Sequence, residues 1–321
     1  MSAGAQRLDV TVAEVVDVNP LIKRFRFVRT GGGALPTFSG GSHIVVDMDD
    51  AGTRRLNPYS LMSDPGQTDS YMISVRRDDN GRGGSLYMHR SVRPGMQMQI
   101  GWPVNLFPAD LRAKKHLMIA GGIGITPFLA QMAQLDRIGG RFELHYAARN
   151  RTLGAYMDEL QTRYGARVQT YLDEEGQAMD LKGLLTSQPF GTHLYVCGPK
   201  PMIGWVLDTA RTLGWPEGAL HSEEFLAPPV GQPFEVELAR SGKTIRVGAA
   251  QSLLEALEAA GVDAPYLCRG GACGQCETDV CESDGTFEHN DHWLSDAEKA
   301  SGRKIMPCVS RFRGARLVID R

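Results

Sequence analysis

From Leu8 to about Pro108 the apolar positions recur in short alternating runs, among them Ile22 to Val28, His43 to Met48, Tyr71 to Val75 and Met96 to Ile100, with turn residues between them. An apolar side chain at every second position marks a half-buried strand, and several such strands predict an antiparallel barrel or sandwich. The period then changes. His116 to Ala120 is a continuous apolar run, followed by a Gly-rich turn, a helical stretch from Pro127 to Leu135 and a strand from Phe142 to Ala147. The strand His193 to Cys197 and the helix Met202 to Leu213 repeat the pattern. Strands alternating with helices predict a parallel α/β sheet.

Leu226-Ala-Pro-Pro-Val-Gly-Gln-Pro233 holds three prolines in eight residues, which suits a semi-rigid linker. Beyond it lie a strand from Phe234 to Leu238, a Ser241-Gly242 turn, a strand from Thr244 to Val247, a helix near Ser252 to Ala260 and a loop rich in Cys and Gly. The chain is therefore expected to be multidomain: 1–108 antiparallel β, 109–226 α/β, 227–233 linker and 234–321 a compact α+β unit.

Composition narrows the class. Apolar residues make up 42% and charged residues 22% of the 321, which is ordinary for a globular protein. Thirty-seven glycines exceed the usual share of about 7% and predict places where backbone approaches a ligand. A net charge of -2 without a long run of either sign gives no support to a nucleic-acid partner. Met1 to Thr11 is polar and no segment is apolar for the roughly 20 residues of a membrane span, so a cytoplasmic protein with no membrane association is expected. Six cysteines in such a chain argue for metal or redox chemistry rather than disulfides.

Cys268, Cys273 and Cys276 follow one another with four and then two residues between, and Cys308 stands on the penultimate strand region. This is the spacing of a plant-type 2Fe-2S loop. Gly270, Gly271 and Gly274 let the loop fold sharply and turn its N–H groups to the sulfurs. A structural zinc site is the rival, but it normally offers two short-spaced cysteine pairs, and one is present here. Cys281 is expected to pack as a small buried hydrophobe.

The stretch from His116 to Pro127 runs from buried strand through Gly121, Gly122 and Gly124 into a helix that Thr126 is expected to cap, with Pro127 in its first turn. Such a terminus attracts a pyrophosphate through free N–H groups and the helix dipole. A second strand ends at Cys197, and Gly198-Pro199 opens the next helix, where open α/β sheets bind ligands. Arg149 follows the strand that begins at Phe142 and is a candidate to meet a ribose or 2′-phosphate. In the first region, Asn57-Pro-Tyr59-Ser60 precedes a short strand-like Leu61-Met62, and Gly83-Gly84-Ser85 precedes a helix from Leu86 to Ser91, a second phosphate-type turn. Tyr59 offers a ring to a flavin and Ser60 a hydroxyl to its polar edge.

In this order the motifs resemble the phthalate dioxygenase reductase family, the flavin- and ferredoxin-containing reductases of Rieske-type oxygenases, over nearly the whole chain. The resemblance implies an antiparallel β-barrel that binds FMN, an α/β NAD domain and a β-grasp ferredoxin domain, with the flavin between nicotinamide and cluster. It implies that Phe225, in His221-Ser-Glu-Glu-Phe225, lies beside the flavin ring, and that Val75 and Arg76 join the flavin contacts. Cys268, Cys273, Cys276 and Cys308 are then the cluster ligands. The family usually reads Arg-x-Tyr-Ser where this chain has Asn57, so a phosphate-binding cation is expected from Arg54, Arg55 or Arg76. The variant looks like the branch that serves oxygenases of carnitine and other quaternary amines.

The expected activity is that NADH gives a hydride to flavin and the electrons leave singly through the cluster to an oxygenase protein. The cofactors carry the chemistry, so no catalytic side chain is required. A transiently docking shuttle of this kind is expected to be a monomer. The alternative is a self-contained NADH-dependent reductase of a quinone, free flavin or ferric chelate, for which a fused ferredoxin domain would be superfluous.

Overall fold

The computed structural model describes residues 7–50 and 52–321; most of the polar N-terminal stretch lies outside them. Three sheets follow one another along the chain. The first has seven antiparallel strands, ordered Thr53–Ser60, Ser42–Asp50, Gln97–Gly101, Arg7–Asn19, Ile22–Arg29, Tyr71–Arg76, with Val104–Asn105 paired to Ser42–Asp50. Alternation sets its inner face: Leu8, Val10 and Val12, Phe25 and Phe27, and Ile44, Val46 and Met48 point into one core. The end strands Thr53–Ser60 and Tyr71–Arg76 do not pair, so the sheet is a curled half-barrel rather than a closed one.

The second sheet is parallel throughout, ordered Val168–Leu172, Phe142–Ala148, Lys115–Gly121, Thr192–Cys197, Leu220–Glu223. Its two central strands carry continuous apolar runs, Leu117 to Ala120 and Leu194 to Cys197, because both faces are covered. Met118, Ala120, Tyr195 and Cys197 face one core cluster, and Leu117, Ile119, Leu194 and Val196 face the other. Strand order reverses between Lys115–Gly121 and Thr192–Cys197, so the crevice where such sheets take ligands opens beyond Gly121 and Cys197.

The third sheet is mixed, ordered Thr244–Val247, Phe234–Leu238, Leu317–Ile319, Thr278–Ser283, Lys304–Ile305, and a two-stranded ribbon pairs Thr286–Glu288 with Arg311–Arg313. Its helix Leu253–Ala259 starts in a capping box, Ser252 with Glu255. The proline-rich segment before it is tied down rather than free. Gly231 N–H donates to the Ala249 carbonyl (3.0 Å), and the buried Arg311 guanidinium donates to the Gln232, Gly248 and Gln251 carbonyls. No helix among the described residues is long and apolar enough to cross a membrane.

Several expected elements shift. Asn57 to Ser60 are the end of a strand, not a polar stretch before one, and the helix after Gly83 is Gly84–Arg90. Cys308 stands in a turn between strands. Cys281 is exposed rather than buried, because it sits at a register shift in Thr278–Ser283 whose far end turns to solvent.

Candidate functional site

A cavity of ≈ 710 Å³ opens where the three sheets meet. The first sheet supplies His43, Asn57, Tyr59, Ser60, Arg76, Gly84 and Ser85; the second supplies Ile123, Thr126, Glu223 and Phe225; the third supplies Cys268, Arg269, Gly270 and Ala272. A ligand in this cleft therefore touches all three units.

On the first sheet, Gly83 takes a left-handed conformation (φ 98°) and starts the helix Gly84–Arg90. A side chain at Gly84 would strike the Asn57 amide. That amide donates to Tyr59 Oη at 3.3 Å, so Asn57 fills the corner between turn and ring. Burial raises the Tyr59 hydroxyl to about 12, which keeps it neutral. Ser85 Oγ accepts from Asp78 N–H at 3.0 Å. Of the three candidate cations, Arg54 is held by Asp47 (Nε to Oδ1, 3.0 Å). Arg55 lies against the Gly83 turn, its guanidinium about 3.3 Å from where a Cβ would stand, and its Nε is buried without a partner among the described residues. Arg76 is exposed on the cleft wall. Val75 is buried, and its carbonyl is 2.8 Å from His89 Nε2.

In the second sheet, Gly121, Gly124 and Gly198 serve close packing. A Cβ on Gly124 would strike the Cys197 carbonyl, and one on Gly198 would stand 3.1 Å from Gly121 Cα. The two turns that open at the strand ends therefore lean on each other. Gly122 takes positive φ (55°) with open space around it. Thr126 does not cap the helix Thr126–Arg137. A 3-10 turn, Gly122–Ile125, precedes it, and Thr126 Oγ1 donates back to the Ile123 carbonyl at 3.0 Å. Pro127 stands in the first turn, and Pro199 immediately precedes the helix Lys200–Thr212. Cys197 is 1% exposed and does not line the cleft. Arg149 is exposed and its carbonyl accepts from Glu174 N–H (3.0 Å); it does not line the cleft.

Two residues in the cleft carried no motif. His43, cross-strand partner of Ser60, is 6% exposed, is pushed down to about 4 by burial and has an unpartnered Nε2. It is therefore a neutral ring at physiological pH. Glu223 is pushed up to about 8 by burial, and its Oε2 is enclosed without a partner. Part of the residue remains accessible, so the enclosure belongs to the carboxyl end. A lone His and a lone Glu give no spacing to find; only their register positions bring them here.

In the third unit the thiols form two pairs. The Cys273 thiol donates toward the Cys268 sulfur and lowers it, and Gly270, Ala272 and Cys273 N–H groups also turn onto Cys268; Gly270 N lies 3.3 Å from its sulfur. Cys276 is lowered chiefly by Cys308, while Cys273 and Cys308 are raised. Cys268 also acts electrostatically on Cys276 and Cys308, so the pairs are neighbours. Among the described residues no three His, Cys, Asp or Glu groups close on a point as a single ion would require. Two adjacent pairs of thiols are the kind of donor set that a two-iron cluster would take. Gly271 and Gly274 have positive φ (72° and 74°), but Gly270 does not; Arg269 takes the left-handed position (φ 53°). Gly274 makes room for the Trp293 ring, which is 51% exposed and whose Nε1 donates to Glu277 at 2.8 Å.

Residues 105–220 match the family described as dimethylamine monooxygenase subunit DmmA-like, N-terminal domain, and residues 236–313 match the 2Fe-2S iron-sulfur cluster binding domain. The chain is 45% identical to the carnitine monooxygenase reductase subunit of Acinetobacter baumannii over 100% of both chains. It is 46% identical to the heme-dependent oxidative N-demethylase beta subunit of Ectopseudomonas mendocina over 98% of both. Among solved structures it superposes on phthalate dioxygenase reductase, described as a modular structure for electron transfer from pyridine nucleotides to [2Fe-2S], with TM-score 0.88, 36% identity and 98% coverage of each chain.

Proposed function

Because this chain belongs to the phthalate dioxygenase reductase family, whose members pass electrons from NADH through FMN to a 2Fe-2S cluster, we propose that the three-sided cleft is where that passage occurs and that the electrons leave for a Rieske-type oxygenase component. The observation that carries this reading is the shared wall: Tyr59, Ser60 and Gly84 face one side of the same space that Phe225 and the Cys268 loop close on the others. The units are 1–108 for flavin, 109–226 for NAD and 234–321 for the cluster, joined by 227–233, in a chain that works as a monomer.

Bound flavin supplies the change from an electron pair, delivered as hydride, to single electrons that a cluster can accept. The protein's part is placement. The Gly83-Gly84 turn and Ser85, with Arg55 and Arg76, would hold the phosphate. Tyr59 and Phe225 would cover the ring faces, Val75 and Asn57 its margins, and Ser60 its polar edge. Gly121, Gly122, Gly124, Thr126 and Pro127, with Cys197, Gly198, Pro199 and Arg149, would seat the nicotinamide nucleotide. His43 and Glu223, both uncharged at neutral pH, add no charge of their own to the cleft. Cys268 with Cys273, and Cys276 with Cys308, would each hold one iron. Exposed Trp293 beside this loop offers a protein partner a large apolar contact, which a reductase of small acceptors would not need.

The relative named as a heme-dependent N-demethylase subunit favours a second reading of the acceptor, a haem protein. The test is anaerobic titration of the purified chain with NADH, followed by mixing with each class of acceptor. Flavin and cluster bands that both bleach, then recover on adding a Rieske oxygenase, support the reading. Recovery with the haem protein alone supports the second, and a spectrum without flavin or cluster bands overturns both.

A further inference from the structure

Helix Leu253–Ala259 carries two carboxylates three residues apart, Glu255 and Glu258, which therefore share one side of the helix. Each reaches a different cofactor loop. Glu255 Oε2 accepts from Arg82 at 2.6 Å, with the two side chains only 12% and 10% exposed, and Arg82 immediately precedes the Gly83 turn of the first sheet. Arg82 also donates to the Ala250 carbonyl at 3.4 Å. Glu258 pairs with Arg269, the residue directly after Cys268. The Arg269 guanidinium lies 3.9 Å over the Tyr266 ring, and Tyr266 Oη in turn accepts from Arg7 of the first sheet at 3.3 Å.

The strain at Arg269 is informative. A non-glycine residue held at φ 53° is strained and persists only where its surroundings over-determine it. Here the ring beneath and the carboxylate of Glu258 do so. The two ion pairs start from a helix that is itself seated in the apolar core of the third unit through Leu253, Leu254, Ala256 and Leu257. Their shared helix links the turn expected to hold the flavin phosphate to the loop expected to hold the cluster.

We propose that helix Leu253–Ala259 is a strut that fixes the separation of the two cofactors, with Glu255 anchoring it to Arg82 beside the flavin turn and Glu258 anchoring it to Arg269 beside the cluster loop. The proposal rests on the reading of the cleft given above. Transfer between bound redox centres falls steeply with distance, so a rigid link has a direct kinetic consequence. Glu255 suits the role because its Oε2 also accepts from Ser252 N–H at 2.7 Å: the group that caps the helix is the group that anchors it.

Glu255→Gln separates the two duties, because glutamine also completes a capping box but lacks the charge. Arg82→Gln breaks the same pair from the other side, and Arg82→Lys keeps its charge. The measurements, on cofactor-loaded protein, are flavin and cluster content by visible absorption, electron arrival at the cluster after mixing with NADH, and hydrogen exchange in the 83–85 and 268–276 loops. In Glu255→Gln, flavin should bleach at the wild-type rate while arrival slows by about tenfold or more. Both loops should exchange faster in the two glutamine variants, and Arg82→Lys should stay near wild type. Unchanged arrival and exchange in both glutamine variants would overturn the strut, as would equal slowing of flavin bleaching and arrival in Glu255→Gln. Wild-type protein without flavin or cluster bands would overturn the reading of the cleft, and the strut with it.

Discussion

Cys197 and Glu223 are register partners on neighbouring parallel strands, and burial holds both in their protonated forms. The thiol is pushed well above its usual range first by burial and then by the nearby Glu223 carboxyl, and the carboxyl is pushed up to about 8.

A pH dependence follows with a definite sign. In the unfolded chain Glu223 loses its proton near 4.5, whereas in the folded chain it keeps it to about 8. The folded state thus binds the extra proton between those values, and stability falls as pH rises through that window, by at most about 1.4 kcal/mol per unit. Thermal unfolding followed from pH 5 to 9 should show this decline in wild type. Glu223→Gln should be flatter across the window and the more stable protein above pH 8; parallel curves for the two would refute the assignment.

The paired thiols make the next expectation. Cys273→Ser should abolish the cluster's absorption and the reduction of cytochrome c, yet leave NADH-driven reduction of ferricyanide by the flavin. Cys281→Ser should keep all three, because Cys281 is exposed on the outer end of its strand. Loss of ferricyanide reduction in Cys273→Ser would show that flavin and cluster are not separable stations.

What the sequence disclosed follows from range. The Cys268, Cys273 and Cys276 spacing is local, and the continuous apolar runs of the parallel sheet reflect burial on both faces, so both could be read from neighbours in the chain. The long strand Arg7–Asn19 is legible in sequence only through the alternation of Leu8, Val10 and Val12, because register shifts after Val12 and Asp17 break the period beyond them. His43 and Glu223 were invisible for another reason: each acquires meaning only by pairing across strands, His43 with Ser60 and Glu223 with Cys197. Arg269 carries no such signal, because a positive φ is expected of the glycines beside it, yet it shares the left-handed conformation with Gly271 and Gly274 while Gly270 does not.

The exchange of the family's arginine for Asn57 directs attention to Arg55. Arg54 is committed to Asp47, whereas Arg55 has a buried Nε without a partner and lies against the Gly83 turn. Arg55→Gln should weaken FMN binding by about tenfold or more, since a charge-assisted bond contributes about 1.5–3 kcal/mol. Arg54→Gln should leave it near wild type. Fluorescence titration of flavin-free protein with FMN, compared with riboflavin, measures the difference; equal losses for the two ligands would place Arg55 away from the phosphate.

Gly122 and Gly124, two residues apart in the turn after the strand Lys115–Gly121, should behave differently. Gly122→Ala meets open space and suffers only the left-handed backbone, a cost of about 1 kcal/mol. Gly124→Ala places its methyl against the Cys197 carbonyl and the Gly198 nitrogen. Those atoms are backbone at the end of a buried central strand and cannot swing aside, so the added cost is about 1–3 kcal/mol or the turns separate. Separation is the functional consequence, because the two turns define the crevice beyond Gly121 and Cys197. Gly124→Ala should therefore lose most NADH-driven flavin reduction while its cluster absorption and its reduction by dithionite persist. If Gly122→Ala proves the more damaging of the two in NADH binding, then backbone conformation rather than the contact between turns shapes the nucleotide site.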